Sequence, residues 1–530
     1  MSGIGKGVTT SSIAKIMQSR GLKVTAMKID PYVNVDAGTM TPTEHGEVFV
    51  LSDGLECDQD MGNYERFLNT DLTRDNYMTT GSVYLSVIGK ERNLEYGGKN
   101  VEVVPHIPNE VIDQIDRAVA KADAEVVVVE VGGTVGEYQN ILFLEAYRML
   151  KFRHPDDCAF VLVSYLPVLN GELKSKPTQY AVRSVNSTGI QPDFIVARCD
   201  LPIDAKRKEK IAFNCSLPAD AIIAAPTVSS IYEVPVNFEN EGFAELLAKK
   251  LGLSGRDKDM KEWREMVDRI KASTETVKIG IAGKYFATGS YVLADSYISV
   301  IEAVKHAASA QGKKAVIEWL NVEEFEKDPA QLSRLSEFGG IIVPGGFGDR
   351  GVEGKISVIK YCRENKIPYL GICYGMQLAV VEYARNVLGL SDASTTEVAP
   401  ETKNPVIDIL PEQKELLAKK QYGASMRLGN YPAVLKKGTI VYEQYKEEEV
   451  TERHRHRYEV NPEYIERIEK AGMVFSGTSP SRKLMEFAEL PKSAHPYFVG
   501  TQAHPELLSR PLRPHPLFVG LIEAAIKKSF

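Results

Sequence analysis

Long apolar runs are missing from this sequence of 530 residues. No stretch approaches the roughly 18 consecutive apolar residues that a membrane-spanning helix needs. The first residues also lack the apolar core of a secretory signal. We therefore expect no membrane association, and we expect the protein to act in the cytoplasm.

Cysteine is scarce, with six in the whole chain. The six are scattered and form no CxxC pair, so neither a zinc site nor a disulfide framework is indicated. Five of them are expected to be plain buried thiols, whereas Cys373 has a special sequence setting. The six positions are Cys57, Cys158, Cys199, Cys215, Cys362 and Cys373.

An excess of basic residues is also missing, because the net charge is −7 and the pI is about 5.9. Broad nucleic-acid binding needs a basic face, so we expect no nucleic-acid partner. With 43% hydrophobic and 25% charged residues, the composition is that of an ordinary globular protein. The length exceeds what one core supports and favours two to four domains.

The N-terminal half contains four β-branched apolar runs separated by helical stretches, at 22–30, 125–133, 158–165 and 193–200. Continuous apolar runs of this kind are typical of parallel strands covered on both faces. The sequence thus predicts an α/β domain over residues 1–252.

A charged and polar stretch with one helical segment, residues 253–276, is interpreted as a linker. A second α/β domain is predicted from "VKIGIAGKY" at residue 277 to residue 530. Within it, the mixed-charge run "KEEEVTERHRHR" at 446–457 has the composition of a solvated segment.

The clearest chemical motif of the second domain is "YLGICYGMQ", in which an apolar strand ends in Gly371-Ile-Cys373-Tyr-Gly375. A small-x-nucleophile-x-small turn between a strand and a helix holds a nucleophile at the top of a sheet. The N–H of Tyr374 would then point toward a developing oxyanion, and the helix N-terminus would favour the thiolate. A structural cysteine in a tight turn would also account for the motif.

Partners for Cys373 occur elsewhere in the chain. In "GTQAHPELLSRP", His504 can act as a general base and Glu506 can orient the imidazole. In "VPGGFGDRG", an amide of Gly345 or Gly346 can complete an oxyanion hole. In their chain order, PGGFG, GICYGMQ and QAHPE, the three motifs resemble the class I glutamine amidotransferases. The resemblance implies glutamine hydrolysis by a Cys-His-Glu triad, with release of ammonia.

The first ten residues include "SGIGKG", a glycine-flanked lysine that opens an amphipathic helix. Backbone N–H groups and the helix dipole bind phosphates in such loops, and Lys6 would reach the outer phosphates. The first glycine of the usual pattern is missing, and Gly7 follows the lysine. A flexible glycine-rich terminus is therefore an alternative for this motif alone.

Other residues of the first domain favour a nucleotide site. Asp60 and Glu130 are candidate Mg²⁺ ligands, because hard oxygen ligands suit a metal that bridges phosphates. In "GELKSKPTQ", Lys174 and Lys176 are interpreted as lying on one side of an extended segment that faces a triphosphate. A solvated loop would also explain two such lysines.

Several long strings resemble the CTP synthase family, and the resemblance covers nearly the whole chain. Among them are "MKIDPYVNVDAGTMTPTEHGEVFV", "DGLECDQDMGNYERF", "EVGGTVGE", "GELKSKPTQ", "SSIYEVP" and "ERHRHRYEVN". The resemblance implies a P-loop-type parallel-sheet amidoligase domain followed by a class I glutaminase domain. It also implies ATP-dependent amination of UTP to CTP through a 4-phosphoryl-UTP intermediate, with ammonia carried through an internal tunnel.

Site residues follow from the resemblance by motif position. Those implied for ATP are Gly3, Ile4, Gly5, Lys6, Gly7, Val8, Lys28 and Asp60, with Pro226, Thr227 and Val228 at adenine. Those implied for UTP or the inhibitor CTP are Ser2, Glu137, Tyr138, Gln139, Lys174, Ser175, Lys176, Pro177, Thr178, Gln179 and Lys210. Asp60 and Glu130 are implied as the Mg²⁺ ligands.

In the glutaminase half, the resemblance implies glutamine contacts at Gly346, Tyr374, Gly375, Met376, Gln377, Glu397 and Arg457. The family narrows its tunnel at His45, and it senses its allosteric activator GTP near Arg350. A homotetramer, with Lys210 acting across a subunit interface, and possible filaments are also expected.

Two features depart from the family. Gln139 stands where a second acidic residue is usual, and an amide can accept or donate where a carboxylate only accepts. We expect weaker discrimination between CTP and UTP. The usual first strand is also absent before Ser2, and we interpret Met1 as a misassigned start codon. The chain would then be about one strand short, with exposed apolar sheet edges and weak ATP binding.

Two other functions are considered. One is a different glutamine-dependent ATP amidoligase, such as those that act on corrin side chains. The other is a ParA-like switch or filament scaffold, which would assemble with ATP but lack glutaminase activity. The intact set of Cys373, His504 and Glu506 argues against the scaffold.

Overall fold

A computed structural model describes residues 3–41, 46–253, 258–284, 287–288, 291–292, 294–409 and 426–528. Ser2 and His45 lie outside these ranges, so their predicted roles are not addressed by the structure. The chain divides into two compact units, one of residues 1–39 and 60–267, the other of residues 40–59 and 268–530.

The first unit contains two parallel three-stranded sheets. One has the order β4-β1-β5 and the other the order β10-β9-β6. Between β6 and β9 in the chain, β7 and β8 form a short antiparallel hairpin. The strands are β1 Val24–Asp30, β4 Tyr77–Thr79, β5 Val126–Val131, β6 Val161–Tyr165, β7 Val168–Leu169, β8 Glu172–Leu173, β9 Phe194–Cys199 and β10 Ile222–Pro226.

Helices fill the connections between these strands, as the spacing of the apolar runs predicts. Side-chain caps help to start some of them: Thr79 accepts a hydrogen bond from the Ser82 N–H, and Asp204 accepts one from the Arg207 N–H. The helices are α1 Lys6–Gln18, α2 Asp60–Leu68, α3 Thr80–Arg92, α4 Val103–Ala122, α5 Ile141–Arg153, α6 Lys176–Asn186, α7 Ala205–Cys215, α8 Val234–Asn240, α9 Phe243–Lys250 and α10 Lys261–Ala272, with 3-10 turns at Arg74–Asn76, Tyr138–Asn140, Ala219–Ala221 and Ile231–Glu233.

The second unit is built on a mixed nine-stranded sheet of order β14-β11-β15-β16-β24-β23-β22-β19-β20. The strands from β14 to β24 are parallel, and the remaining pairs are antiparallel. The strands are β11 Thr276–Gly283, β14 Lys314–Asn321, β15 Gly340–Val343, β16 Tyr369–Ile372, β19 Arg427–Leu435, β20 Glu449–His456, β22 Val474–Thr478, β23 Met485–Glu489 and β24 Phe498–Thr501.

Helices cover both faces of this sheet. On one face, α13 and α14 pack in a core with Ile341 and Val343, and on the other, α11 and α17 pack with Ile279 and Ile281. The helices are α11 Ile298–Ala310, α12 Val322–Lys327, α13 Val352–Glu364, α14 Tyr374–Asn386, α15 Ile440–Tyr445, α16 Pro462–Lys470 and α17 Pro516–Lys528, with 3-10 turns at Ala294–Tyr297, Pro329–Glu337 and Pro505–Leu508.

Smaller sheets complete the second unit. They are the hairpin β2 Val48–Val50 with β3 Glu56–Asp58, the pair β12 Ala287–Thr288 with β13 Tyr291–Val292, and the three-stranded sheet of β17 Ala393–Thr395, β18 Asn404–Ile409 and β21 Tyr458–Val460. The structure therefore confirms an α/β fold with two sheet-based units. All six cysteines lie among the described residues, are buried and form no disulfide.

The boundary between the units differs from the sequence-based one. The hairpin of β2 and β3 belongs to the second unit, although it lies within residues 1–252. The interpreted linker contains α10, whose Trp263 is 1% exposed and packs against Phe67 and Tyr232 of the first unit. Most of α10 is therefore part of the first unit's core.

The run "KEEEVTERHRHR" is only partly solvated, contrary to its composition: residues 446–449 are exposed, but most of the residues that follow are buried. Its residues 449–456 form β20, and Glu452, Arg453, His454 and His456 are each at most 2% exposed. Partners in the same unit compensate these groups. Arg453 donates to the Asn430 side chain and to the Val50 carbonyl, and Glu452 accepts from Tyr445. The composition of the run did not predict this burial, because charged side chains are buried only where residues distant in sequence provide partners.

Candidate functional site

Cys373 lies in a sharp turn between β16 and α14. Its φ of 50° and ψ of −101° are a strained conformation for a residue other than glycine. Added Cβ atoms would come within 2.5 Å of the Tyr369 hydroxyl at Gly371 and within 2.1 Å of the Val343 carbonyl at Gly375. Both flanking glycines are therefore required by close backbone approach, as the GxCxG motif predicts.

His504 and Glu506 meet Cys373 at this turn. His504 follows β24, and its backbone N–H donates to the Arg453 carbonyl at 2.7 Å. Its Nδ1 lies 2.7 Å from Glu506 Oε1, and the imidazole also interacts electrostatically with Cys373. Although burial disfavours the imidazolium, Glu506 and Cys373 raise the pKa of His504 to about 10. The arrangement favours a thiolate beside an imidazolium.

A cavity opens directly above the thiol. Gly345 faces the imidazole so closely that a Cβ there would lie 2.8 Å from His504 Cε1. The two adjacent glycines thus sit where a second oxyanion-hole amide is needed. The lining residues are Glu47, Val48, Ser296, Tyr297, Gly345, Gly346, Phe347, Cys373, Arg455, His504, Glu506 and Leu507.

The residues predicted for glutamine gather around the same turn, but not all through their side chains. Glu397 accepts a hydrogen bond from the Gly348 N–H at 2.8 Å and is electrostatically coupled to Arg457. Burial raises the pKa of Glu397. Met376 is fully buried, and the Gln377 amide is used in bonds to the Tyr458 carbonyl and to Gln502. Met376 and Gln377 therefore offer the cavity no free side chain.

Sequence reasoning missed Gln502 and Glu47. Gln502 is fully buried, and its amide nitrogen donates to Cys373 Sγ at 3.7 Å. The quoted string "GTQAHPE" contained it, but its orientation depends on the buried bond to Gln377. Glu47 lines the cavity and accepts from the Ser299 N–H at the start of α11. No local signal places a residue so early in the chain beside Cys373.

In the first unit, "SGIGKG" forms a turn that leads into α1. Gly3 and Gly5 have φ values of 73° and 87°, which favour glycine, and Gly5 caps the helix. A Cβ at Gly7 would lie 2.0 Å from Asp60 Oδ1, so only glycine fits there. The departure from the usual phosphate-loop pattern therefore follows from the close approach of the Asp60 carboxylate.

Lys28, Asp60 and Glu130 form one buried cluster. Lys28 Nζ lies 2.5 Å from Asp60 Oδ2 and 2.8 Å from Glu130 Oε1, and the Tyr64 hydroxyl donates to Glu130. Burial opposes charge on Asp60, but Lys28 and Lys6 outweigh it and lower the pKa of Asp60. The pKa of Glu130 is raised, because burial and the nearby Asp60 carboxylate both disfavour its charge. A cation already bridges the two carboxylates, which fits their use as ligands of a divalent cation.

Mg²⁺ is commonly held by one or two carboxylates together with substrate phosphates. Two carboxylates beside a phosphate-binding turn meet that requirement. Within the described residues no cluster of three or more His, Cys, Asp or Glu side chains could hold a metal without such help.

Comparison with known proteins decides the family. Residues 1–253 match the model for the CTP synthase N-terminus, and residues 292–524 match class-I glutamine amidotransferase. The CTP synthase of Pyrococcus furiosus is 52% identical over 99% of this chain and 96% of its own length. That of Thermococcus kodakarensis is 51% identical, with coverage of 100% and 98%. The chain belongs to the CTP synthase family.

A solved structure of the Trypanosoma brucei CTPS glutaminase domain with bound acivicin is 36% identical, with a TM-score of 0.44. It matches 48% of this chain and 95% of its own.

Membership of the CTP synthase family makes the chain an enzyme, a glutamine-hydrolysing ligase.

The described positions predicted for UTP or CTP lie on three segments of the first unit, at 137–139, at 174–179 and at Lys210. Glu137, Tyr138 and Gln139 are exposed at a 3-10 turn, and the Gln139 amide nitrogen donates to Glu137 Oε2 at 2.6 Å. This bond uses the amide nitrogen of Gln139 and not its carbonyl oxygen. Gln139 therefore presents an acceptor, as the carboxylate usual in the family would.

The second pyrimidine segment differs in conformation from the prediction. Lys176 begins α6, so Lys174 and Lys176 do not share an extended segment but flank a helix N-terminus. Ser175, Pro177, Thr178 and Gln179 belong to the same first turn, at the positive end of the helix dipole. Lys174 pairs with Glu172, and Lys210 on α7 is electrostatically coupled to Glu172 as well.

The positions expected to contact adenine lie at the carboxyl end of β10 and directly after it. Arg198 donates to the Pro226 carbonyl at 3.1 Å, and its side chain also packs against Gly5. Thr227 donates to Asp200 at 2.7 Å, and Val228 packs against the core that contains α1. Pro226, Thr227 and Val228 therefore lie near the turn that includes Gly3, Ile4, Gly5, Lys6, Gly7 and Val8.

Arg350 lies on the loop between Gly346 and α13. Its side chain is 65% exposed and pairs with Glu323.

No helix of the described part of the chain has the length and apolar content needed to cross a membrane.

Proposed function

We propose that this chain converts UTP to CTP, using ATP and ammonia from glutamine. The observation that carries the proposal is the cluster of Cys373, His504 and Glu506 at a strained elbow in a member of the CTP synthase family. A phosphate-binding turn beside paired carboxylates in the same chain supports the nucleotide half of the reaction.

Glutamine hydrolysis starts with attack of the Cys373 thiolate on the side-chain carbonyl carbon. The new C–S bond forms as the carbonyl electrons move to oxygen, where amides of Tyr374 and Gly346 would stabilise the charge. Collapse breaks the C–N bond, and His504 gives a proton to the departing nitrogen. Water then cleaves the thioester, so glutamine and water become glutamate and ammonia.

Synthesis of CTP needs a leaving group at C4 of UTP, because a carbonyl oxygen leaves poorly. We propose that the γ-phosphoryl group of ATP is transferred to O4, and that ammonia then displaces phosphate. Lys6 and Lys28 would balance charge on the phosphates, with the backbone of 3–8 around them. Bound Mg²⁺, held by Asp60 and Glu130, would neutralise phosphate charge.

Ammonia reacts only while unprotonated, so we propose that it travels through an internal path rather than through solvent. Residues 1–252 are proposed as the amidoligase domain and 277–530 as the glutaminase. Activation by GTP near Arg350, inhibition by CTP near Gln139, and a homotetramer that forms filaments are parts of the same proposal.

The test compares the chain with Cys373→Ala, supplying UTP and ATP with either glutamine or ammonium salt. CTP formation is followed by the ultraviolet shift of the cytosine ring. Loss of glutamine use with retention of ammonia use supports the proposal. Glutamine-dependent CTP formation by Cys373→Ala would reject the triad, and ammonia use without CTP would indicate a different amidoligase.

A further inference from the structure

Lys355 is a buried lysine close to the nucleophile, and the mechanism above does not use it. It lies in the first turn of α13 and is 0% exposed. Its ammonium nitrogen has no hydrogen-bond partner among the described residues. Burying an amine without a partner is costly, so the position calls for an explanation.

The amine faces an aromatic ring. Lys355 Nζ lies 5.0 Å from the centroid of the Tyr374 ring, within the range of a cation–π contact. Tyr374 is the residue directly after Cys373, and its side chain is 1% exposed.

The hydroxyl of Tyr374 reaches the loop that follows β15. It donates to the Gly348 carbonyl at 3.2 Å. The N–H of the same glycine donates to Glu397 at 2.8 Å, and Lys284 donates to the neighbouring Phe347 carbonyl. The loop is thus tied at three backbone groups, immediately after the glycines that line the cavity.

We propose that Lys355 and the Tyr374 side chain are positioning residues for the oxyanion hole. Tyr374 supplies one oxyanion-hole amide from its backbone, and its side chain fixes the loop that supplies the other amide. Lys355 holds the ring at the angle that lets the hydroxyl reach Gly348. The inference rests on the proposed glutaminase reaction and deepens it.

The charge of Lys355 is sensitive to pH. Burial, together with Lys284 at the end of β11, lowers the pKa of Lys355 to about 7, whereas Cys373 and Glu397 act in the opposite direction. Below that pH the amine is a cation that attracts the ring face, and above it the attraction weakens. The contribution of Lys355 to catalysis should therefore decrease as pH rises.

The first test uses Tyr374→Phe in the full chain, with Tyr383→Phe as the matched control. Tyr383 lies on the same helix and donates its hydroxyl to the Ala471 carbonyl at 2.7 Å. Loss of one oxyanion-hole donor costs about 10²–10³ in kcat, so displacement of the loop should cost about tenfold. We expect kcat for glutamine hydrolysis to fall by about tenfold in Tyr374→Phe, and by less than about twofold in Tyr383→Phe.

Two further measurements distinguish a positioning role of the Tyr374 side chain from general damage to the active site. KM for glutamine should change less than about twofold in Tyr374→Phe, because the Glu397 bond to Gly348 remains. Alkylation of Cys373 by iodoacetamide should also keep its rate, because displacement at a saturated carbon forms no oxyanion. Unchanged kcat in Tyr374→Phe would overturn the proposal, and so would a parallel fall in kcat and in alkylation.

The second test uses Lys355→Met, which keeps an unbranched chain against the ring but removes the charge. The ratio of wild-type to variant kcat should be several-fold at pH 6 and near one at pH 9. A ratio that is the same at both pH values would remove Lys355 from the proposal. Retention of glutaminase activity in Cys373→Ala would instead mean that the proposed function itself is wrong.

Discussion

His504 Nδ1 and Glu506 Oε1 lie 2.7 Å apart beside the Cys373 thiol, with the Glu506 side chain 5% exposed and the His504 side chain 14% exposed. The carboxylate stabilises the imidazolium despite burial, so that the pKa of His504 rises to about 10. Within the neutral range the imidazole would then carry a proton for the leaving amine. Glu506 follows His504 by two residues in the same turn, and this spacing allows the carboxylate to hold the imidazole in its orientation.

Glu506→Gln should lower the pKa of His504 toward its ordinary value, because the amide keeps a hydrogen-bond acceptor but removes the negative charge. We expect kcat for glutamine hydrolysis at pH 7.5 to fall at least about tenfold. Iodoacetamide alkylation of Cys373 should also slow at neutral pH, since less imidazolium supports the thiolate. An alkylation rate with the same pH dependence in variant and wild type would contradict this role of Glu506.

Gly7→Ala should impair the nucleotide site, because the new Cβ would lie 2.0 Å from Asp60 Oδ1 and must displace that carboxylate. We expect ammonia-dependent CTP formation to fall at least about tenfold, with glutamine hydrolysis preserved. Gly89→Ala is the matched control: it lies in α3, and its added Cβ meets nothing within 4 Å. If Gly7→Ala were as active as Gly89→Ala, the packing of Asp60 against α1 would not matter for activity.

Gln139→Glu should strengthen inhibition by CTP. The Gln139 amide nitrogen is bound to Glu137, so the carbonyl oxygen is the acceptor available to a 4-amino group. A carboxylate accepts more strongly and cannot donate to the O4 of UTP. We expect the CTP inhibition constant to fall about tenfold, while KM for UTP rises, in steady-state assays with ammonia. An unchanged CTP inhibition constant would show that Gln139 does not weaken discrimination.

Glu459→Gln should flatten the pH dependence of stability. Burial raises the pKa of Glu459 to about 8, although Arg427 opposes this and Glu486 reinforces it. A raised folded-state pKa gives stability that is complete below the unfolded pKa of Glu and is lost as pH rises through about 8. The wild-type melting temperature should therefore fall between pH 6 and 8.5 more steeply than that of Glu459→Gln.

The slope attributable to this one group is at most about 1.4 kcal/mol per pH unit in the free energy of unfolding. Glu463→Gln serves as the control, because Glu463 is exposed on α16. Its pH dependence should match that of the wild type. Equal slopes in Glu459→Gln and wild type would mean that Glu459 titrates alike in folded and unfolded chains.

Much of the fold could be predicted because strands and turns have local causes. The apolar run at 193–200 contains β9, and GxCxG forms the elbow, because only glycine tolerates the backbone contacts at Gly371 and Gly375. The run at 446–457 was misjudged for the opposite reason. Its charged residues Glu452 and Arg453 are buried against His515 and Asn430, partners that no neighbouring residue reveals.

By itself, the sequence determined the α/β class, the strand-to-helix elbow at Cys373 and the family, because these depend on short patterns of residue type. Tertiary structure decided that residues 40–59 join the second unit. It placed the Asp60 carboxylate against Gly7, and it set the Tyr374 hydroxyl on Gly348. These relationships join residues distant in sequence, so they arise only when the chain packs and each buried polar group must find its partner.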